Sequence, residues 1–206
     1  MTLEVYLAFV LSSFILALAP GPDNLFVLAQ SALYGVKAGI LVVVGLCLGL
    51  VVQTICAAVG LAAVVAALPP LFWAIKLAGA IYLLYLAYMA FKHAKDELSR
   101  PQVSKSTAFR LVRRGFIMNI TNPKVQIFFL AFFPQFVAPG TVGVALAGQM
   151  IIQGLTFMLA TVVVFVAVAA GAGMLSDKLM QPKFYKWLNY GSAVLFVLLA
   201  IAAICA

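Results

Sequence analysis

Charge is scarce in this chain. Only 9% of the 206 residues are Asp, Glu, Lys or Arg, and just 5 of them are acidic. A hard-cation site needs several oxygen ligands close together, and no cluster of acids is present to supply them. The single histidine, His93, excludes a multi-histidine metal centre and leaves a membrane hydrolase without its base. The 3 cysteines, Cys47, Cys56 and Cys205, lie in apolar runs without C-x-x-C spacing, which reads as reduced packing residues. Cys47 and Cys56 are separated by about 13–14 Å along a helix, too far for a thiol relay. No catalytic residue is identified, and no cofactor or metal is expected. The N-terminus, Met1-Thr2-Leu3-Glu4, lacks a basic lead-in, so no cleavable signal is expected.

What remains is oil. Hydrophobic residues make up 66% of the chain, and its mean hydropathy is +1.18, whereas soluble domains are about half apolar. Several runs exceed the roughly 20 residues needed to cross a bilayer. The expected fold is an all-α polytopic membrane protein with the lipid bilayer as its surroundings. Six transmembrane helices are expected: 3–36, broken after 19 and resuming at 25; 38–68; 71–91; 115–136, broken at Asn122-Pro123; 142–175; and 184–206. Pro69-Pro70 is read as a stop, residues 107–114 as a basic amphipathic lead-in at the headgroups, and 176–183 as a polar connection. One transmembrane domain, 1–206, divides into a first repeat (1–93), a basic loop (94–106) and a second repeat (107–206).

The net charge of +8 points to topology rather than to nucleic acid. Lys37, the basic residues between Lys92 and Arg114, and Lys178, Lys183 and Lys186 fall on one side of the expected spans. The opposite loops, around Pro69 and 137–141, carry no Lys or Arg. The positive-inside rule places the loaded side, with the central loop, in the cytoplasm and both termini outside.

Two stretches break the apolar pattern. Pro20, Gly21 and Pro22 interrupt the first span, because proline removes an N–H and clashes with a preceding carbonyl. Asp23 and Asn24 follow at once. Pro123 interrupts the fourth span amid Asn119, Thr121, Asn122, Lys124 and Gln126. Irregular backbone at membrane depth survives only where protein or a wet cavity surrounds it. Each half is three helices opening on a broken one, so the second half must be inserted upside down. Corresponding broken helices in inverted repeats point to a transporter's binding site. Asp23 is read as a proton-coupling or ammonium-binding group, against a capping role for Asp23 and Asn24 at the helix start. Lys124 is read as meeting a substrate carboxylate or Asp23. Lys76 either joins the site or snorkels to the outer interface. Gln53, Thr54, Gln149 and Gln153 read as interhelical glue, and the Phe128–Phe136 aromatics as core or lipid contacts. Gly45-x-x-x-Gly49 is a close-packing motif within a protomer or between two, which leaves a homodimer open.

The chain resembles the lysine exporter (LysE/RhtB) family of bacterial amino-acid efflux proteins. The resemblance rests on Pro20-Gly21-Pro22-Asp23-Asn24; on Gly115-Phe116, Asn119, Asn122-Pro123-Lys124, Phe128-Phe129 and Pro134-Gln135-Phe136; and on Lys76, Gly79-Ala80 and Tyr82-Leu83, in that family's order and spacing. It implies secondary export of amino acids across the bacterial inner membrane, coupled to protons, with homoserine, threonine and other neutral amino acids favoured over lysine. Export of a cation or of an amino-acid-derived metabolite is the alternative, and a membrane-embedded thiol carrier or enzyme the remaining one.

Overall fold

The computed structural model describes residues 2–67, 69–95, 102–138, 140–179 and 181–205. Among them every regular element is helical. Helix α1 (Leu3–Leu18) starts where the Thr2 hydroxyl accepts the Val5 N–H at 3.4 Å, and it stops two residues before Pro20. Helix α2 (Pro22–Tyr34) begins on proline, which loses nothing at a position whose N–H has no helical partner. It ends at Gly35, whose φ of 87° favours glycine. The two are bent by 59° at the break.

Helix α3 (Val36–Ala67) and helix α4 (Pro69–Lys92) follow. Pro69-Pro70, expected to lie before the third helix, forms the first turn of α4, two residues earlier than the expected start at 71. Proline suits a helix's first turn because the N–H it lacks has no helical partner there. A 3₁₀ turn, His93–Lys95, closes the first half. Helix α5 (Ala108–Ile120) is capped by the Thr107 hydroxyl and runs straight through Gly115, so the amphipathic lead-in and the first part of the expected fourth span are one helix. After the second break, α6 (Pro123–Ile127) continues through a π-helical turn (Phe128–Phe132) and a 3₁₀ turn (Phe133–Phe136). Helix α7 (Gly143–Leu179) extends past the expected end at 175, and α8 (Pro182–Cys205) completes the chain.

By length and composition three helical stretches can cross a membrane: Val36–Leu61, Leu77–Lys95 and Gly143–Ala172. Counting each bent pair as one span raises this to five among the described residues. The sixth expected span corresponds to α8, whose described apolar stretch, Lys186–Ile201, is shorter than a crossing.

Helix α3 is central, packed along α5 on one side and α7 on the other, while α4 pairs with α8. The α3–α5 contact is close because it is reciprocal in glycine. A Cβ on Gly45 would lie 2.0 Å from the Val112 carbonyl oxygen, and one on Gly115 would lie 2.2 Å from that of Val42. Gly49, the other glycine of the motif, leaves room for Asn119. Two apolar cores result. One is aromatic, with Phe9 set edge-on to Phe133 at 5.2 Å and Phe128 and Phe129 against Phe157. The other gathers Phe26, Val42, Leu46, Leu111 and Phe165. The outer flank of α3, from Val44 to Val59, exposes Val, Leu and Ile in a row, a surface suited to lipid rather than water.

Candidate functional site

A broken helix strands carbonyls that the next turn would have satisfied. At the first break these include the carbonyls of Ala17 and Ala19. Asn24 reaches back and donates from Nδ2 to the Ala17 carbonyl at 2.8 Å. The Ala19 carbonyl is met from the other half of the chain, by the Lys124 ammonium at 3.1 Å. No side chain caps α2; Gly21 stands at its N-cap. A Cβ there would lie 3.2 Å from Lys124 Nζ, so a larger residue would make that ammonium shift by a few tenths of an ångström.

The second break is repaired mostly by its own residues. Asn122 is the N-cap of α6, its Oδ1 accepting the Lys124 N–H at 3.0 Å. Thr121 donates to the Ile117 carbonyl at 2.8 Å, and Gln126 reaches the Ile120 carbonyl. From α3, Gln53 Nε2 donates to both the carbonyl and the Oδ1 of Asn119, at 2.8 and 3.1 Å.

With Oδ1 committed to its own helix, Asn122 turns Nδ2 to Asp23 and donates to Oδ2 at 2.7 Å. This bond spans 99 residues of sequence and joins the two breaks in the interior, where Asp23 and Asn122 are each 6% exposed. Asp23 Oδ1 is buried without a partner. Lys124 is close enough to Asp23 for direct attraction, yet its hydrogen bond goes to Ala19.

Between the breaks lies a cavity of about 20 Å³, lined by Asp23, Asn24, Asn119 and Lys124 and walled by Leu50 and Phe165 among others. That is room for about one water molecule; no amino acid fits unless the walls separate. An anionic and a cationic side chain therefore face one small, largely apolar chamber. Such an arrangement can receive a zwitterion or hold a proton on Asp23.

Asp23, Asn24, Asn119 and Lys124 line the chamber, Asn122 holds Asp23 from behind, and Pro20, Gly21, Pro22 and Pro123 make the breaks. Lys76 lies in α4, and its side chain is outside the described residues. The capping role weighed for Asp23 is not the one it fills, since its only side-chain hydrogen bond comes from Asn122. Gln53, expected to act as glue, does bridge helices, and it does so onto Asn119. The α7 wall, Phe157, Thr161 and Phe165, went unread. Thr161 is the polar residue of that wall, but its hydroxyl bonds its own helix at the Phe157 carbonyl, as an ordinary helix-interior threonine does, and so carries no sequence signal of a site.

The sequence profile of the LysE type translocators matches residues 14–206. The homoserine/homoserine lactone efflux protein of Salmonella typhimurium is 30% identical over 198 residues, covering 96% of this chain and 95% of that protein. The leucine efflux protein of Klebsiella pneumoniae is 32% identical over 133 residues, 64% of this chain and 63% of that one. An uncharacterized membrane protein of Pseudomonas aeruginosa is 37% identical over 137 residues, with 64% of this chain and 63% of its own length covered. No solved structure matches. A chain of apolar helices that matches this profile almost from end to end is a transporter rather than an enzyme, and it belongs to the LysE type translocator family.

Proposed function

We propose that this protein exports amino acids from the bacterial cytoplasm across the inner membrane. The observation that carries the reading is the buried Asp23–Asn122 hydrogen bond, which ties two broken helices around a chamber bearing opposite charges. Homoserine and other neutral amino acids are the favoured substrates, in keeping with the relatives named for homoserine and leucine efflux.

The mechanism is alternating access between two inverted three-helix units, six spans in all. The pairing of α3 with α7 and of α4 with α8 supports it, because each pair joins corresponding helices of the two halves. The substrate carboxylate approaches the Lys124 ammonium, the one cationic group lining the chamber among the described residues. The ammonium approaches the unpartnered Asp23 Oδ1. To accept it, Lys124 must release the Ala19 carbonyl and the walls must part. Proton antiport follows when Asp23 carries either a proton or the substrate ammonium, never both. The basic central loop faces the cytoplasm and the termini face outside.

Counterflow in proteoliposomes, screened over all amino acids, tests this. Exchange of at least one neutral amino acid, driven faster by a proton gradient and abolished or uncoupled in Asp23→Asn, is the expected result. Unchanged gradient-driven export in that variant would remove Asp23 from the mechanism.

A further inference from the structure

A second, larger space lies apart from the chamber. A groove of about 450 Å³ opens between α2, α5 and the segment entering α5, and its lining includes Phe26, Gln30, Ser106, Arg110, Arg113 and Arg114. Among the described residues no acidic side chain lines it. Guanidinium groups so placed attract an oxyanion, and their planar forks match carboxylate and phosphate geometry.

The groove also holds a buried acceptor. Gln30 is 1% exposed, and its Nε2 donates to the Ser104 carbonyl at 3.4 Å. Its Oε1 is left buried with no partner. A buried carbonyl oxygen without a donor is costly unless something supplies one. Asp23, Phe26 and Gln30 occupy positions i, i+3 and i+7 of α2, so they form one stripe along the helix. Phe26 is buried between the other two, and the Arg114 guanidinium lies 4.2 Å from its ring centroid. This stacked pair floors the groove on the way to Asp23.

Resting on the export reading above, we propose that this groove is a loading site for free α-amino acids on the basic-loop side. The arginines take the carboxylate, Gln30 Oε1 accepts from the ammonium, and the Phe26–Arg114 stack separates the site from the inner chamber. The phosphodiester of an anionic lipid headgroup would satisfy the same arginines. A phosphatidylglycerol headgroup offers Gln30 Oε1 only neutral hydroxyl donors, which bond it less strongly than an ammonium does, so the amide favours the amino acid.

The test uses the full chain with Cys47, Cys56 and Cys205 changed to Ala and a reporter at Ser106→Cys, in phosphatidylcholine nanodiscs. An anionic thiosulfonate reagent should label the reporter roughly tenfold faster than a cationic one, the local enrichment a basic cleft gives, and Arg110→Gln with Arg113→Gln should erase the preference. L-homoserine or L-leucine should slow labelling, whereas homoserine lactone, which lacks a carboxylate, should not, and Gln30→Leu should weaken the protection. Equal rates for the two reagents, or protection by phosphatidylglycerol and by neither amino acid, would overturn the proposal. Labelling does not require transport. A chain that exports normally but shows no charge preference loses the loading site alone; one with preference and protection but no export loses the export reading and keeps the amino-acid groove.

Discussion

The two helix breaks bend their chains by similar angles, 59° and 51°, but they lean on the other half of the chain to different degrees. The second is repaired mostly by its own residues, Asn122, Thr121 and Gln126, with Gln53 of α3 added at the Asn119 carbonyl. The first has one local repair, Asn24 on the Ala17 carbonyl. Its Ala19 carbonyl depends on Lys124, and its carboxylate depends on Asn122, both from the other half of the chain. On the proposed mechanism, the break with more partners in the other half has more to exchange when the halves separate, so the first break is the expected switching element.

Substitutions should expose this asymmetry to different degrees. The largest effect belongs to Asp23→Asn, which keeps the size and removes the charge. Gradient-driven efflux in proteoliposomes should fall to background while the protein still elutes as a folded species in detergent. Asn122→Leu comes next, because it strands a buried carboxylate and removes the cap of α6. Losing a hydrogen bond to a charged group costs roughly 1.5–3 kcal/mol, so exchange should fall by roughly ten- to a hundredfold and stability should fall with it. Lys124→Gln leaves the second break intact and weakens only the borrowed contact and the carboxylate pole. A rise of roughly tenfold in the half-saturating amino-acid concentration is expected, consistent with one charge-assisted bond.

Packing predictions are smaller and concern folding alone. Gly45→Ala should destabilise by roughly 1–3 kcal/mol in mixed-micelle unfolding, since its Cβ would meet the Val112 carbonyl at 2.0 Å. Gly148→Ala in α7 has nothing within 4 Å of the added carbon and should be neutral or stabilising by up to ~1 kcal/mol. Equal losses at the two glycines would mean that the α3–α5 approach is not as close as described.

How far the sequence discloses this site depends on the kind of interaction. Proline announces a break wherever it falls inside an apolar run, so Pro20, Pro22 and Pro123 could be placed from composition and spacing. The polar residues beside them were legible as a site for the same reason. Pairing was not. Nothing local says that Asn122 will turn one end to its own helix and the other to a carboxylate 99 residues away. Lys124 does lie close enough to Asp23 for direct attraction, but the carbonyl freed by the break at Pro20 takes its hydrogen bond, and nothing local announces that. Pro69 shows a related ambiguity, because the residue that forbids continuing one helix is well suited to starting the next. The arginines of α5 read as topology signals from their charge alone. Their place around a groove appears only once the fold brings Phe26 and Gln30 of α2 beside Arg110, Arg113 and Arg114.

The central claim is that Asp23 and Asn122 act as one unit across the two halves, and a double-mutant cycle on unfolding in mixed micelles measures that directly. With Asp23→Ala, Asn122→Ala and the double variant, the account predicts a coupling of roughly 1.5–3 kcal/mol, the double variant losing far less than the sum of the singles. Losses that simply add, to within about 0.5 kcal/mol, would show that the two breaks do not hold each other.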